Sequence, residues 1–421
     1  MKKVIGILAL LALTGNIASA ELFKNMKWTG GAEIKNVTGQ KSVVAAKSDW
    51  SNTFSRFTLG ANFDLNDDIN AQVTAVKGDF RKYGDAAGAQ SVDNITANVF
   101  FTEAYVNLKN VLYLNHKIGR QYYGKAGDMV IYYGPTFSGS NNVANFSVTA
   151  LDGWYGEWMK NKWTVTGLAA KVDENSTTNP QDINLYGVTG KYDYSEEVKG
   201  SAYFYQADSR DDTAAPAYQH NTLNVAGVKA EGKFEGIGYG VEYAMNMGKD
   251  EQVAVGSPEV DYKGTALKVN LDYALDAKEF GKFHFMGEYG MGSGDEAGST
   301  DENGEFYGIN SNYQPGMIFG TYGVGQTMNG IGNLTVMNVG LKYMPKQIEK
   351  LSLGAKFFTF APTEEPTTYD TYGSELDLCA NWKHSENVSL KASYAMFMPE
   401  EDFAGKDTTE TLMGFDVVLK F

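Results

Sequence analysis

The sequence lacks several features that mark other classes of protein. It has a single cysteine, Cys379, so no disulfide can form within the chain. Proline occurs only nine times, and no proline-rich or serine-rich run separates two domains. After residue 20, no apolar stretch reaches the ~20 residues that a membrane-spanning helix needs. The net charge of −15 argues against nucleic acid as a partner, because phosphate binding needs clustered lysine and arginine.

The start of the chain has the pattern of a secretory signal. Two lysines precede a short apolar stretch over residues 4–13, and Ala18 and Ala20 supply the small-x-small pattern of a cleavage site. The apolar stretch is too short to cross a bilayer as a helix. We therefore expect residues 1–20 to be cleaved as a signal peptide and residues 21–421 to form a single exported domain.

In place of long apolar runs, the sequence alternates apolar and polar residues with a period of two. In the final segment, Met413, Phe415 and Phe421 fall on one side, and Asp416 and Lys420 fall on the other. Successive side chains of a strand point to opposite faces, so each such segment has one apolar face. Eighteen strands are predicted in this way, with sixteen as the fallback count, near residues 26–36, 54–64, 69–79, 98–108, 112–123, 150–160, 162–172, 184–195, 197–207, 222–234, 236–248, 262–275, 280–292, 333–344, 350–360, 374–384, 387–397 and 410–421.

The predicted connections alternate between short turns and long loops. Turns such as 66–68 and 235–236 alternate with loops such as 80–97 and 124–149. This rhythm, with strands of about 9–11 residues, is typical of outer-membrane barrels. Only a closed sheet satisfies every backbone group within lipid, so the last strand should pair with the first. A series of soluble β-sandwich domains is the competing interpretation, and it does not explain why short turns alternate with long loops.

The predicted fold class is therefore all-β: a transmembrane antiparallel β-barrel with short periplasmic turns and long extracellular loops. Such a protein belongs in the outer membrane of a Gram-negative-type bacterium, in contact with outer-membrane lipid and lipopolysaccharide. A barrel of 16–18 strands is wide enough to enclose an aqueous channel. Hydrophilic solutes are the expected partners, and the oligomeric state, monomer or trimer, stays open.

Strand parity assigns basic and acidic residues to the inner wall in similar numbers. Rings of charge of this kind set the ion preference of a pore. Lys342, Lys356 and Lys391 form a basic ladder on the late strands, which either faces passing ions or is neutralised by neighbouring carboxylates. The candidate pore-lining residues are Arg56, Glu103, Lys191, Lys268, Lys342, Lys356, Glu375, Asp377, Lys383 and Lys391.

The sequence offers no recognisable catalytic set. His116, His220, His284 and His384 are scattered without metal-ligand spacing, although His284 could contact Glu288 on the same face of its strand. No nucleophile elbow, P-loop or zinc-binding helix is present. We predict that the protein is not an enzyme and needs no cofactor or metal.

The acidic segment GSGDEAGSTDENGE at 292–305 could offer carboxylates to a cation. The segment lacks the D-x-[DN]-x-[DN]-G-x5-E spacing of a calcium-binding EF-hand loop. A solvated acidic loop is the preferred interpretation. The candidate residues for a cation contact are Asp295, Glu296, Asp301 and Glu302.

Several stretches resemble the alginate export family of outer-membrane porins. LNHKIGRQYYG at 114–124 resembles an early family strand with a Gly-Arg-Gln, in which the arginine is Arg120. GEYGMGSGD followed by YQPGMIFGTYG resembles a strand that ends in Ser-Gly-Asp before a long loop, and residues 372–399 resemble the penultimate hairpin. Phe421 is similar to the terminal aromatic by which barrel assembly machinery recognises its clients.

The resemblance implies an eighteen-stranded passive channel, with Arg120 as a further candidate pore residue. It also implies an anionic polysaccharide as the solute of the type member, but polymer exporters have a strongly basic constriction, whereas this inner wall is nearly balanced in charge. We therefore expect a porin-like channel for passive diffusion or export of hydrophilic solutes, with small anionic or neutral saccharides as candidates. The alternative is a barrel that acts as a structural anchor or adhesin through its acidic loops.

Overall fold

The structure is a computed structural model that describes residues 24–40, 49–78, 99–140, 143–174, 181–211, 219–252, 259–296, 300–322, 329–366, 368–404 and 408–421. The predicted signal peptide and parts of several predicted loops, such as 41–48 and 79–98, lie outside these residues. No helix in the described segments is long and apolar enough to cross a membrane.

Eighteen long antiparallel strands form the wall of the described molecule. They are β1 Lys24–Gln40, β2 Asp49–Asp64, β3 Ile69–Gly78, β4 Val99–Val111, β5 Leu114–Gln121, β6 Leu151–Lys160, β7 Trp163–Glu174, β8 Gln181–Asp193, β9 Lys199–Asp211, β10 Gln219–Phe234, β11 Ile237–Gln252, β12 Thr265–Asp276, β13 Gly281–Gly292, β14 Leu334–Pro345, β15 Leu351–Ala361, β16 Gly373–Lys383, β17 Val388–Pro399 and β18 Glu410–Lys420.

The sheet closes on itself, so the wall has no free edge. Each strand pairs with the next along the chain, and β18 pairs with β1, with Lys35 opposite Asp416. The seam continues to the last residue, because Phe421 N donates to Gly30 O at 3.0 Å and Gly30 N donates to Phe421 O at 2.9 Å. Closure satisfies the backbone groups that an open edge would leave exposed to lipid. The predicted eighteen-stranded barrel is confirmed.

The strand ends differ from the sequence prediction mainly on the long-loop side. β2 begins at Asp49, about five residues earlier than expected, and β10 and β11 pair from Gln219 opposite Gln252 down to their turn. These extensions are polar, and ladder pairing does not require apolar alternation once the strands leave the bilayer. A pattern based on alternation therefore ends before the hydrogen bonding does.

The two faces of the wall differ as alternation requires. Large apolar side chains such as Trp28, Leu59, Val188, Met337 and Phe415 are exposed on the outer face. A continuous apolar outer surface of this extent is expected only where lipid covers it. The inner face carries the polar and charged residues together with apolar side chains that meet the loops.

Two long loops have described segments that fold into the barrel. We call them the first inner loop (described residues 122–140 and 143–150) and the second inner loop (described residues 293–296, 300–322 and 329–333). The first contains a pair Tyr123–Gly124 with Tyr132–Tyr133 and a hairpin Pro135–Ser140 with Val143–Val148. The second contains a two-residue strand Glu302–Asn303, which pairs with Val260–Tyr262, and a π-helix Gly316–Tyr322. The remaining short helices are a 3-10 turn Lys346–Ile348 and an α-helical turn Glu401–Ala404.

The main apolar core lies inside the barrel, between these loops and the upper wall. Loop side chains that are almost fully buried pack against inward-facing wall residues of many strands. The loops thus occupy the extracellular half of the lumen. The buried loop residues are Met129, Val130, Ile131, Tyr133, Phe306, Tyr313, Ile318, Phe319 and Ile331, and the buried wall residues include Leu151, Leu168, Leu185, Val225, Leu334, Val336, Phe360, Phe397 and Leu412.

Candidate functional site: the lumen and its inner loops

The two inner loops are hydrogen-bonded to each other. Tyr132 N donates to Asn310 O at 2.9 Å, and Asn310 N donates to Val130 O at 3.1 Å. The Asn310 side-chain amide also donates to Tyr132 O at 2.7 Å. Two residues after Asn310, Asn312 N donates to Asp128 O at 3.0 Å. The loops therefore form one body across the lumen.

A short turn aims the first inner loop into the barrel. The Asp128 carboxylate accepts the N–H groups of Val130 at 2.8 Å and Ile131 at 3.0 Å, which is the local pattern that favours aspartate in turns. The apolar run that follows, including Met129 and Tyr133, is buried against the wall. Burial of these side chains holds the loop inward, since outside the barrel they would face water.

Two wall carboxylates hold the second inner loop. Glu375, on β16, is 0% exposed, and its two oxygens accept the N–H groups of Ile318 and Phe319, each at 2.7 Å. Asp377, two residues along the same strand face, accepts the N–H of Met317 at 3.1 Å. A buried carboxylate is costly unless hydrogen bonds replace its water, and here the loop backbone supplies them.

Two further contacts tie the same loop to other strands. The Asn246 side chain on β11 accepts Tyr307 N at 2.7 Å and donates to Tyr307 O at 2.9 Å. The Tyr313 hydroxyl donates to Glu288 on β13 at 2.7 Å. Burial and the neighbouring carboxylate raise the pKa of Tyr313 well above its usual value, so this phenol stays protonated and remains a donor.

The late strands present lysines to the lumen. Lys342, Lys356, Lys383 and Lys391 lie on the inner faces of β14 to β17, on the same side as the buried wall residues. The first three are exposed and Lys391 is half-buried. Among the described residues, none of these four lysines forms an ion pair. Of the neighbouring inward acids, Glu375 and Asp377 accept loop N–H groups, and Asp416, opposite Lys391 in the register, pairs with Lys35 at 3.0 Å.

Other inward charges are engaged by neighbours on the wall. Arg56 forms an ion pair with Glu33 at 2.6 Å, and its guanidinium lies 4.7 Å from the ring centroid of Phe146. Lys191 forms an ion pair with Asp193 at 3.2 Å. The positive charges of Arg56 and Lys191 are therefore balanced by adjacent carboxylates.

The last two inward candidates contact the loops or polar wall groups. Lys268 donates to Gly127 O at 3.4 Å and lies 5.3 Å from the ring centroid of Tyr313. Glu103 accepts the Thr74 hydroxyl at 2.7 Å. Most inward charges thus have ion-pair or polar partners, whereas the four late-strand lysines form no ion pair among the described residues.

Arg120 does not line the pore, and the expectation taken from the family resemblance is wrong for this residue. It lies opposite Asp152 in the register of β5 and β6, and its Nε donates to the Asp152 carboxylate at 2.8 Å on the outer face. The inward positions beside it belong to Gly119 and to Gln121, which is buried. A likeness of motif carries no information on strand parity, and parity decides the face.

The four acidic loop candidates lie in different surroundings. Asp295 accepts the N–H of Gly304 at 2.8 Å, and Glu296 is exposed. Asp301 O accepts the N–H of Asp261 at 2.9 Å, next to the paired strand that begins at Glu302. In the described part of the chain, no three His, Cys, Asp or Glu side chains are grouped so that they could hold a metal ion.

The sequence pattern does not predict the loop anchors, which include Asn246 and the backbone of Met317, Ile318 and Phe319. A signal is present in the apolar runs MVIYY at 129–133 and GMIFGTY at 316–322, which lie in segments predicted as long extracellular loops. Apolar runs rarely stay in water, so they indicate loops that pack inside the barrel.

The barrel has the same fold as solved outer-membrane proteins. Pseudomonas aeruginosa OpdQ superposes with a TM-score of 0.60 at 14% identity, covering 95% of this chain and 99% of that chain. P. aeruginosa OccK8 (OprE) gives a TM-score of 0.61 at 9% identity over 95% and 99%. The P. aeruginosa OpdK structure with vanillate gives 0.57 at 9% identity over 94% and 98%. At identities this low, the structural similarity shows the fold alone.

Sequence comparison identifies the family. Among curated protein sequences, none matches this chain. A family model described as alginate export matches residues 40–412, which is most of the chain. The closed barrel, the porin neighbours and this match agree on an outer-membrane channel for solute passage. The chain belongs to the alginate export family of outer-membrane proteins.

Proposed function

We propose that this channel passes small hydrophilic solutes and favours anions over cations. The observation that supports the preference is the row of Lys342, Lys356, Lys383 and Lys391 on the inner face, without ion-pair partners among the described residues. The ion preference of a pore follows the sign of the side chains that line it. Lys356 lies opposite Asp377 and Lys391 lies opposite Asp416, but Glu375 is buried under the loop, so an anion that passes this side of the wall meets an excess of lysine over exposed carboxylate.

The inner loops favour a small solute over a polymer. They are hydrogen-bonded together and packed on the upper wall, so they narrow the lumen on its extracellular side. A neighbour of the same fold, OpdK, has been crystallised with vanillate, a small carboxylate. Small saccharides and small organic acids with a negative charge are therefore the solutes that we propose.

We further propose that the protein acts by conduction and not by catalysis. His284 faces inward but lies opposite Lys342, and the nearby carboxylate of Glu288 accepts the Tyr313 hydroxyl. The contact between His284 and Glu288 that the sequence suggested is therefore replaced by a loop anchor. A catalytic base would need that acid in reach of its imidazole.

Reversal potentials in a potassium chloride gradient test the anion preference. We expect the reconstituted protein to prefer chloride, and the variant with Lys342, Lys356, Lys383 and Lys391 all changed to Gln to lose this preference. A charge about 8 Å from a passing ion contributes about 0.5 kcal/mol in water, so each lysine should change the permeability ratio about twofold. The matched control is Lys171→Gln, because Lys171 faces outward beside Asp182 at 3.4 Å.

Liposome swelling with neutral, anionic and cationic sugars of equal size gives the second measurement. Faster entry of the anionic sugar supports the proposal. A wild-type channel that prefers cations would contradict the role of the lysines. A barrel that gives no current and no swelling would favour the anchor or adhesin function instead.

A further inference from the structure

We infer that Glu375 and Asp377 are positioning residues, which hold the second inner loop against the wall and thereby set the largest solute that passes. Both lie on the inner face of β16, a wall strand. Their partners, the N–H groups of Met317, Ile318 and Phe319, belong to the loop. The contact therefore joins a rigid wall strand to the loop.

The geometry shows that Glu375 does not act as a selectivity charge. Its side chain is 0% exposed, and both of its oxygens are occupied by loop N–H groups at 2.7 Å. A passing ion does not reach it. A buried backbone N–H group that loses its acceptor is costly, so two such groups held by one side chain make an effective anchor.

Asp377, two residues further along β16, makes the third hydrogen bond between the wall and the loop. Its Oδ2 accepts Met317 N at 3.1 Å, and Lys356 lies opposite it in the register. The three consecutive N–H groups are at the start of the π-helix Gly316–Tyr322, where backbone donors lack partners within the helix. The wall supplies the acceptors that the helix itself cannot.

An aromatic contact adds to the anchor. The Phe319 ring stacks on Phe360 of β15, with centroids 4.0 Å apart and planes at 13°. It also approaches Tyr372 at 5.5 Å and Phe397 at 5.8 Å. Residue 319 is therefore held by its backbone to the acid and by its side chain to the wall, which fixes the position of the loop.

Release at this point would free only one part of the loop. Asn246 with Tyr307 and Glu288 with Tyr313 hold its earlier part to β11 and β13. Loss of the acids should leave those contacts intact and let the segment 316–322 move away from β16. The lumen would widen on the side of β15 to β18, and the barrel itself would stay closed.

The test uses the full-length protein with Glu375→Gln and Asp377→Asn combined, reconstituted in planar bilayers and in liposomes. The amides keep the size of the side chains, but each replaces one acceptor oxygen with an NH2 donor, which opposes a loop N–H group. Loss of these hydrogen bonds should raise the frequency of openings to a larger conductance by about tenfold. Swelling with neutral oligosaccharides of increasing length should show entry of sugars that the wild type excludes.

Two further variants separate positioning from other effects. Asp272→Asn removes an inward carboxylate of β12 in the periplasmic half and controls for lost wall charge; its size limit should stay that of the wild type. Ile318→Pro removes a donor from the loop side. In a double-mutant cycle with Glu375→Gln, the two changes should be non-additive, because both break one contact.

The outcomes show whether Glu375 and Asp377 set the size limit by holding the loop. A folded double variant, shown by heat-modifiable mobility, with wild-type conductance and size limit would overturn the inference. If the double variant does not fold, Ile318→Pro carries the test alone with the same two outcomes. The inference depends on solute passage but not on anion preference, so a channel without charge selectivity whose size limit still changes would leave it standing.

Discussion

At the scale of single residues, the face of the wall decides what a charged side chain can do. Arg56 and Arg120 are both paired with a carboxylate, Glu33 and Asp152 respectively. Arg56 faces the lumen, and Arg120 lies on the outer face with its side chain 47% exposed. Two arginines with similar local chemistry should therefore affect conduction differently.

We expect Arg56→Gln to lower the chloride preference and Arg120→Gln to leave it at the wild-type value. Loss of the Arg56 charge leaves Glu33 unpaired on the lumen side, and at about 8 Å in water this charge is worth about 0.5 kcal/mol to a passing ion. The ratio of permeabilities should change by about twofold in the first variant, as measured by reversal potential. Equal shifts in both variants would mean that the assignment of faces is wrong.

At the scale of elements, the closing pair of β1 and β18 has little room for side chains. A Cβ atom at Gly31 would lie 2.4 Å from the backbone oxygen of Leu419, a contact that requires the strands to move. A Cβ atom at Gly190, on β8, would have no other atom within 4 Å. Glycine is therefore required at Gly31 and replaceable at Gly190.

We expect Gly31→Val to destabilise the barrel and Gly190→Val to be neutral. Overpacking of this kind typically costs about 1–3 kcal/mol, whereas a β-branched residue suits an open strand position. The temperature at which the folded band disappears on a detergent gel gives the measurement. A seam variant as heat-resistant as Gly190→Val would show that closure at Gly31 tolerates a side chain.

At the scale of the whole molecule, sequence alone predicted the wall well and its contents poorly. Alternation specifies strands such as β18, since every second residue from Met413 to Phe421 is apolar. The fold of the inner loops depends on contacts between residues far apart in the chain, such as Glu375 with Phe319, and loops carry no periodicity. Parity could place Glu375 inside the barrel but could not indicate that a loop backbone would cover it.

The distribution of charge over the molecule also separates wall from loops. The chain has a net charge of −15, and exposed acids of the loops include Asp295, Glu296, Asp301 and Glu302. The lysines of the late strands lie deeper, on the inner wall. An anion approaching from outside therefore meets a negative field before it reaches the positive wall.

Ionic strength should separate these two fields. The Debye length falls from about 30 Å at 0.01 M salt to about 10 Å at 0.1 M, so added salt screens the exposed loop acids before it screens charges at close range in the lumen. We expect the ratio of chloride to potassium permeability, measured at a fixed gradient ratio, to rise by about twofold over this range. In a variant with Asp295, Glu296, Asp301 and Glu302 changed to Asn or Gln, the rise should shrink. A chloride preference that falls steadily with salt in both proteins would show that the loop acids do not act on the ions that enter.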